Sequence, residues 1–172
     1  MILVRHVMTE APKTLGPARS VADAAGLMEQ HDIGIVPVAD EDGDLVGLVT
    51  DRDLVLRVLA KQRDPREISL GDIATTKLVT VTPDSNVADA RDLMAEHKVR
   101  RLPVVKGGRL VGIVSLGDVA VNDPSKRAVG EVLEAVSASP STRSASEGPA
   151  RGTPERVRAF VPRSDEPPGG GA

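Results

Sequence analysis

The sequence predicts an α+β fold: two tandem β-α-β-β-α repeats packed with pseudo-two-fold symmetry, followed by a disordered tail. Three observations carry this. The stretch Gly47-Leu48-Val49-Thr50-Asp51-Arg52-Asp53 returns as Gly112-Ile113-Val114-Ser115-Leu116-Gly117-Asp118, in each case a glycine, two aliphatics, a hydroxyl, two variable positions and an aspartate. Its surroundings return too. Val21-Ala22-Asp23-Ala24 recurs as Val87-Ala88-Asp89-Ala90, Leu27-Met28 as Leu93-Met94, Pro37-Val38 as Pro103-Val104 and Pro17 as Pro83, all at an offset of 66 that falls to 65 after the following turn. A unit of roughly 60 residues of this kind cannot bury its core alone, so the two must pack together. From Ser137 onward Ser, Pro, Gly and Arg dominate, ending in Pro167-Pro168-Gly169-Gly170-Gly171. Such a segment has too little apolar surface to offset its ordering entropy.

The elements follow in order. Val4 to Thr14 lead into the first copy. Ser20 reads as an N-cap with Asp23 three residues on, and Val21, Ala24, Ala25 and Met28 keep helical spacing, which predicts a helix from Val21 to about His31. Ile33 to Ala39 is β-branched and apolar and reads as a strand, with Pro37 marking an edge or irregular position. Glu41-Asp42-Gly43 is a hairpin turn and Leu45 to Thr50 the returning strand. Asp53 to about Lys61 reads as a helix with Leu54, Val55, Val58 and Leu59 on its apolar face. Gln62 to Ile68, polar and interrupted by Pro65, is a connector. In the second copy Leu78 to Val81 reads as a short strand, and Asn86 as the cap of a helix from Val87 to about His97. Arg101 to Val105 and Arg109 to Ser115 are strands joined by Lys106-Gly107-Gly108, and a short helix starts near Leu116. Lys126 to Val136 adds one more, with Val129, Val132, Leu133 and Val136 on one side. The expected boundaries are 4–66 for the first repeat with its connector, 67–122 for the second, 123–136 for the extra helix and 137–172 for the tail.

Composition narrows the function classes. Aliphatic residues carry the core, since the chain has one Phe and neither Tyr nor Trp. The absence of Cys excludes disulfides, thiolate metal sites and cysteine catalysis. The net charge of -3 gives no basic field for nucleic acid. No apolar run approaches a membrane span, and the opening residues are too short for a signal-peptide core, so a cytoplasmic protein is expected. His31 and His97 fall at equivalent helix ends, where a cationic ring suits the dipole. Met28 and Met94 are at core spacing. The acids Glu41, Asp42 and Asp44 read as a solvated turn, since no matching set follows Lys106.

The repeated motif puts a hydroxyl, a helix start and a carboxylate at one strand-to-helix junction, an arrangement suited to a phosphorylated, hydroxyl-bearing ligand. Thr-x-x-Asp is also a helix-capping pattern, which needs no ligand.

A helix, a hairpin and a second helix, doubled, with Val-x-x-Ala and Leu-Met on the first helix, an aliphatic-Pro-Val strand and Gly-h-h-Thr/Ser-x-x-Asp at the close, resembles the CBS domain pair, or Bateman module. The likeness covers roughly residues 4 to 122. It implies two repeats with their sheets face to face and two clefts that bind adenosine derivatives such as AMP, ADP, ATP or S-adenosylmethionine. It implies that Asp53 and Asp118 accept hydrogen bonds from ribose hydroxyls and that Thr50 and Ser115 face ribose or phosphate. A carboxylate can accept from both hydroxyls of a cis-diol, and charged acceptors form the stronger bonds. With no aromatic ring in the body, the base is expected between Ile35, Val36 and Pro37 in one cleft and between Leu102 and Pro103 in the other, with backbone groups near Thr14 and Thr80 reading its edge. The clefts differ: Gly34 and Ile35 align with Arg100 and Arg101, and Arg52 with Gly117. The two arginines are also readable as ordinary exposed charges.

No nucleophile–base set is visible, so a non-enzymatic adenine-nucleotide sensor, pairing into a homodimer and acting on an unknown target protein, is the leading expectation. No cofactor, metal or nucleic acid is expected. The competing expectation is an interaction scaffold without ligand, whose tail, with Phe160 in Arg156-Val157-Arg158-Ala159-Phe160-Val161, docks a partner.

Overall fold

The computed structural model describes residues 2–122 and 125–137. The chain opens with a 3-10 turn at Val4–His6 and a two-residue strand β1 (Thr9–Glu10). Helix α1 (Val21–His31) is closed at its start by a reciprocal cap: Ser20 Oγ accepts the Asp23 N–H at 3.1 Å, and Asp23 accepts the Ser20 N–H at 3.0 Å. A hairpin follows, β2 (Ile35–Ala39) against β3 (Leu45–Thr50), antiparallel with Pro37 opposite Leu48. The first strand starts two residues later than its apolar run, because Asp32 takes a left-handed backbone (φ 50) to end α1. Helix α2 (Asp51–Arg57) begins at the motif hydroxyl and stops sooner than expected. Val58 leaves helical geometry (φ -121, ψ -66), and Leu59–Lys61 form a separate 3-10 turn.

The connector holds a short helix, α3 (Leu70–Ile73), that apolar spacing did not reveal; Ser69 and Asp72 cap it reciprocally. The second copy then gives α4 (Val87–His97), β4 (Arg101–Lys106), β5 (Arg109–Ser115) and α5 (Leu116–Asn122), and the chain continues into α6 (Lys126–Ser137). Gly107 and Gly108 supply the positive φ values (61 and 91) of a two-residue hairpin turn.

Two expectations for this half need correction. Leu78 to Val81 is not a strand: Val81 alone bridges Val104. Val81 N–H donates to the Pro103 carbonyl and Val105 N–H to the Val81 carbonyl, but Pro103 has no N–H with which to extend the ladder upstream. Leu15 sits identically between Pro37 and Ala39 in the first copy. Asn86 occupies the N-cap position of α4, yet its side chain accepts no backbone N–H of the helix, and its buried Oδ1 has no hydrogen-bond partner among the described residues.

The packing units cross the sequence repeats. Val4 N–H donates to the Ser85 carbonyl and Val87 N–H to the Ile2 carbonyl; 66 residues on, Leu70 N–H donates to Arg19 and Val21 N–H to Ile68. Thr9 and Glu10 pair with Ile113 and Gly112, giving a three-stranded sheet β1-β5-β4, while Thr75 pairs with Leu48 beside β3. Each copy's leading segment is thus exchanged onto the other copy. Val4 is buried in a core with Val87, Met94, Leu102, Val104, Val114 and Val119. Leu70 and Ile73 are buried with Val21, Met28, Val36, Val38, Val49 and Val58. Gly47 and Gly112 permit the crossing: a Cβ on Gly47 would lie 2.8 Å from Ala74 Cβ, and one on Gly112 2.6 Å from Met8 Sδ.

The equivalent residues Asp44 and Arg109 bridge each other. Leu45 N–H donates to the Gly108 carbonyl at 3.2 Å and Leu110 N–H to the Gly43 carbonyl at 3.3 Å, a reciprocal pair that marks the pseudo-two-fold axis. Leu45, 1% exposed, is buried at this seam.

Leu54 and Val58 of the expected apolar face, and Val119 of α5, are buried at 7%, 0% and 0% exposure. They point at the cores, because i, i+4 neighbours share a helix face. The outward aliphatics are Val55, Leu56, Leu59, Val121 and Leu133. Among the described residues, no helix is long and apolar enough to cross a membrane. The tail expectation, including Phe160, falls on residues 138–172, outside the described residues.

Candidate functional site

Strand alternation sorts the expected site residues. Val36, Val38 and Val49 face the first core, and Leu102, Val104 and Val114 face the second, all at 0% exposure. Val36 and Leu102 therefore cannot sandwich a base: side chains two apart share a sheet face, and theirs is the helix-covered one. Ile35, Pro37, Leu48 and Thr50 share the other face in the first copy, with Ile35 opposite Thr50. Arg101, Pro103, Ile113 and Ser115 share it in the second, with Arg101 opposite Ser115. Each junction hydroxyl is thus one strand spacing from the residue that differs most between copies.

Both motifs form the same reciprocal cap. Thr50 Oγ1 donates to Asp53 Oδ2 at 2.7 Å and accepts the Asp53 N–H at 3.2 Å, while Thr50 N–H donates to the same carboxylate oxygen at 2.9 Å. The corresponding distances for Ser115 and Asp118 are 2.6, 3.2 and 2.8 Å. Ser20/Asp23 and Ser69/Asp72 repeat the arrangement away from the junctions. At Asp23, the backbone and side-chain hydrogen bonds of Ser20, with Arg19 alongside, hold the carboxyl below its ordinary value. The motif geometry alone is accounted for by capping, and what separates the junctions lies around it.

At the first junction Arg57 occupies the other carboxylate oxygen of Asp53, with Nε 3.3 Å from Oδ1. The same guanidinium bonds the Ile73 carbonyl, and donates to Thr75 Oγ1 at 3.1 Å, tying α2 to the exchanged segment. Asp51 stands beside Gly34, where a Cβ would meet its Oδ2 at 3.2 Å. Arg52 is exposed at the start of α2. At the second junction Asn122 replaces Arg57 and donates to the main-chain carbonyl of Asp118 at 2.8 Å, leaving the second carboxylate oxygen with no cation among the described residues. Leu116 replaces Asp51, and Arg100 and Arg101 are exposed with no described carboxylate paired to either.

A cavity of about 450 Å³ opens at this second junction, lined by Arg100, Arg101, Ser115, Leu116, Gly117, Ala120, Val129 and Leu133. It brings together two of the expected residues, Arg101 and Ser115. Asp118 touches it only through the Ser115 hydroxyl, and Pro103 and Thr80 are not among its walls. Thr80 is fully buried with no hydrogen-bond partner for its Oγ1 among the described residues, whereas its counterpart Thr14 is exposed. Leu116, Ala120, Val129 and Leu133 were not singled out from sequence as site residues. The last two belong to a helix beyond the repeat, for which the motif offered no signal. Among the described residues no group of three or more His, Asp or Glu side chains could hold a metal ion.

Comparison with known proteins fits this geometry. The family model of the CBS domain matches residues 4–60 and 70–122. The CBS domain-containing protein YhcV of Bacillus subtilis is 42% identical over 137 residues, 80% of this chain and 96% of that protein. The crystal structure of Hypoxic Response Protein I with two coordinated zinc ions superposes with a TM-score of 0.65 at 35% identity, covering 71% of this chain and 99% of that one. The crystal structure of CBSX2 in complex with AMP gives a TM-score of 0.62 at 33% identity over 70% of this chain and 95% of that one. The doubled motif, the two hairpins related by a two-fold seam and these matches place the chain in the CBS domain family, with two tandem CBS repeats.

Proposed function

We propose that this chain is a regulatory binding module for an adenosine derivative (AMP, ADP, ATP or S-adenosylmethionine), with the second junction as its principal site. One observation carries the reading: Ser115 and two guanidiniums that pair with no carboxylate among the described residues line a cavity of about 450 Å³, within the range of small-molecule sites. Arg101 supplies charge for a phosphate, and the Asp118 carboxylate, one hydrogen bond behind the Ser115 hydroxyl, keeps an oxygen that no described cation holds and that a ribose diol could use. Thr80 and Pro103, expected beside this site, lie outside the walls of the cavity and are not needed for this reading. The first junction, with Thr14, Ile35, Pro37, Thr50, Arg52 and Asp53, is the weaker site, because Arg57 already holds the Asp53 carboxylate. The AMP bound by CBSX2 supports the ligand class. The module performs no chemistry of its own in this reading, and ligand acts by binding one arrangement of the module more tightly than another.

A thermal-stability series against AMP, ADP, ATP, S-adenosylmethionine and inorganic phosphate tests it. A ligand at a hundred times its Kd raises stability by about 2.7 kcal/mol. A shift with at least one adenosine derivative and none with phosphate is expected. No shift with any of them would leave the caps as caps and favour the scaffold reading.

The outward aliphatics support self-association as well. Val55, Leu56 and Leu59 are 51%, 48% and 58% exposed, and Val121 is 78% exposed. Exposed aliphatics of this kind suit an interaction surface, and a homodimer through α2 and α5 would cover them. Sedimentation at tens of micromolar, about the range for moderate affinity, is expected to give a dimer, and a monomer there contradicts it.

A further inference from the structure

Helix α6 lies outside the residues matched by the CBS family model, and it has no counterpart in the first copy, where the chain turns at Leu59–Lys61 and runs into the connector. Its place in the fold is nonetheless specific. Val132 is 3% exposed in the second core, which holds the helix against α4 and α5. Val129 and Leu133, three residues before and one after that anchor, turn to the cavity beside Leu116 and Ala120. Leu133 is 55% exposed at its edge. The consequence shows at equivalent positions: Ala120 is half-buried, whereas its first-copy counterpart Val55 is 51% exposed.

The walls are chemically divided. Four aliphatic side chains come from α5 and α6, and two guanidiniums come from the start of β4. Such a lining suits a ligand with a flat apolar part and an anionic part. With no Tyr or Trp in the chain and its one Phe at position 160, no described aromatic ring is available to stack on a base.

We propose that α6 completes the second junction as a composite pocket in which Val129 and Leu133, with Leu116 and Ala120, enclose the adenine of the ligand while Arg100 and Arg101 hold its phosphate. This rests on the adenosine-derivative reading above, and it assigns the base to a helix beyond the CBS repeats. Base recognition here is therefore by apolar enclosure, and α6 sets how tightly the base is held.

The test uses the full chain and calorimetry with AMP and adenosine, comparing wild type, the double variant Val129→Ser/Leu133→Ser, Arg101→Ala and Ile2→Ser. Removing two apolar contacts to the base should weaken AMP and adenosine by a common factor of about ten or more. Arg101→Ala should weaken AMP alone, and Ile2→Ser, at an exposed aliphatic away from the cavity, should change neither. A second measurement does not depend on a weakened variant. The chain has no tryptophan, so Leu133→Trp installs a single reporter whose emission should change saturably with AMP. Unchanged AMP and adenosine affinity in the double variant, or a silent tryptophan while AMP binds, would overturn the role of α6 and leave the adenosine-derivative reading standing. Absence of AMP and adenosine binding to wild type overturns both.

Discussion

The two strand-to-helix junctions share a backbone and a cap to within 0.1 Å in their three hydrogen-bond distances, yet they are built for different tasks. At the first, charges are used internally: Asp53 pairs with Arg57, and Arg57 reaches on to Ile73 and Thr75 of the exchanged segment. At the second, Asn122 stands where the cation was, two arginines are exposed, and an additional helix lines one side of a cavity. Duplication supplies the frame twice. Charges left uncommitted by the fold are the ones available to a ligand, which is why the less internally paired copy is the one proposed as the principal site.

Substitutions at equivalent positions sharpen this contrast. The largest effect is expected where the exchanged segments cross. An Ala Cβ at Gly47 would lie 2.8 Å from Ala74 Cβ and 3.2 Å from the Thr75 carbonyl oxygen; at Gly112 the carbonyl contact is alike, 3.1 Å to Thr9, but the nearest atom is the Met8 sulfur at 2.6 Å. Overpacking of this kind costs about 1–3 kcal/mol, and a flexible methionine yields more easily. Urea unfolding should therefore show Gly47→Ala more destabilising than Gly112→Ala, and the reverse order would mean that the first crossing is the looser one.

Next in size are the helix ties. Arg57→Ala removes charged hydrogen bonds at a partly exposed site and should cost about 2 kcal/mol, against about 1 or less for the neutral Asn122→Ala. Equal losses would refute the structural role assigned to the first junction.

The caps of α1 and α4 differ in the same sense. Ser20→Ala should cost about 1 kcal/mol in thermal or urea unfolding, as N-cap removal does. Asn86→Ala should cost little, because its side chain accepts no backbone N–H of the helix.

The smallest effect belongs to the connector, which has no described counterpart in the second copy. The Arg66 side chain and, next, its backbone N–H hydrogen-bond Asp64 and bring its carboxyl down to about 2, from an ordinary 3.8. A depressed carboxylate stabilises the fold above the unfolded value and loses that contribution as pH falls through the folded one. The stability gap between wild type and Asp64→Asn should therefore be constant above about pH 5 and shrink between about pH 4 and pH 2. The pair is exposed, so the change is small. A gap independent of pH would mean that the ion pair contributes nothing.

Much of the frame was legible because it is local. The 66-residue offset, Ser20 with Asp23, and the Gly107-Gly108 turn each act over a few residues, and the elements they specify are in place. The exchange of the leading segments was not legible, since Val4 and Leu70 reveal their partners only once the cores close around them. The strand expected at Leu78–Val81 failed on Pro103, a residue of another segment. For the site, Arg101 and Ser115 could be read as a pair from the repeat alignment, and Arg57 lay in view as an i+4 partner of Asp53. The contribution of α6 could not be read, because its apolar face looks like core packing whether it meets a core or a cavity. Val132 meets the first and Leu133 the second.

The measurement that bears most directly on the inequality of the two junctions is an AMP titration followed residue by residue through backbone amide NMR. Saturable shifts are expected at Arg100, Arg101, Ser115 and Gly117, at concentrations where Gly34, Ile35, Thr50 and Arg52 remain unmoved. Shifts of equal size and midpoint at both junctions, or confined to the first, would contradict the account.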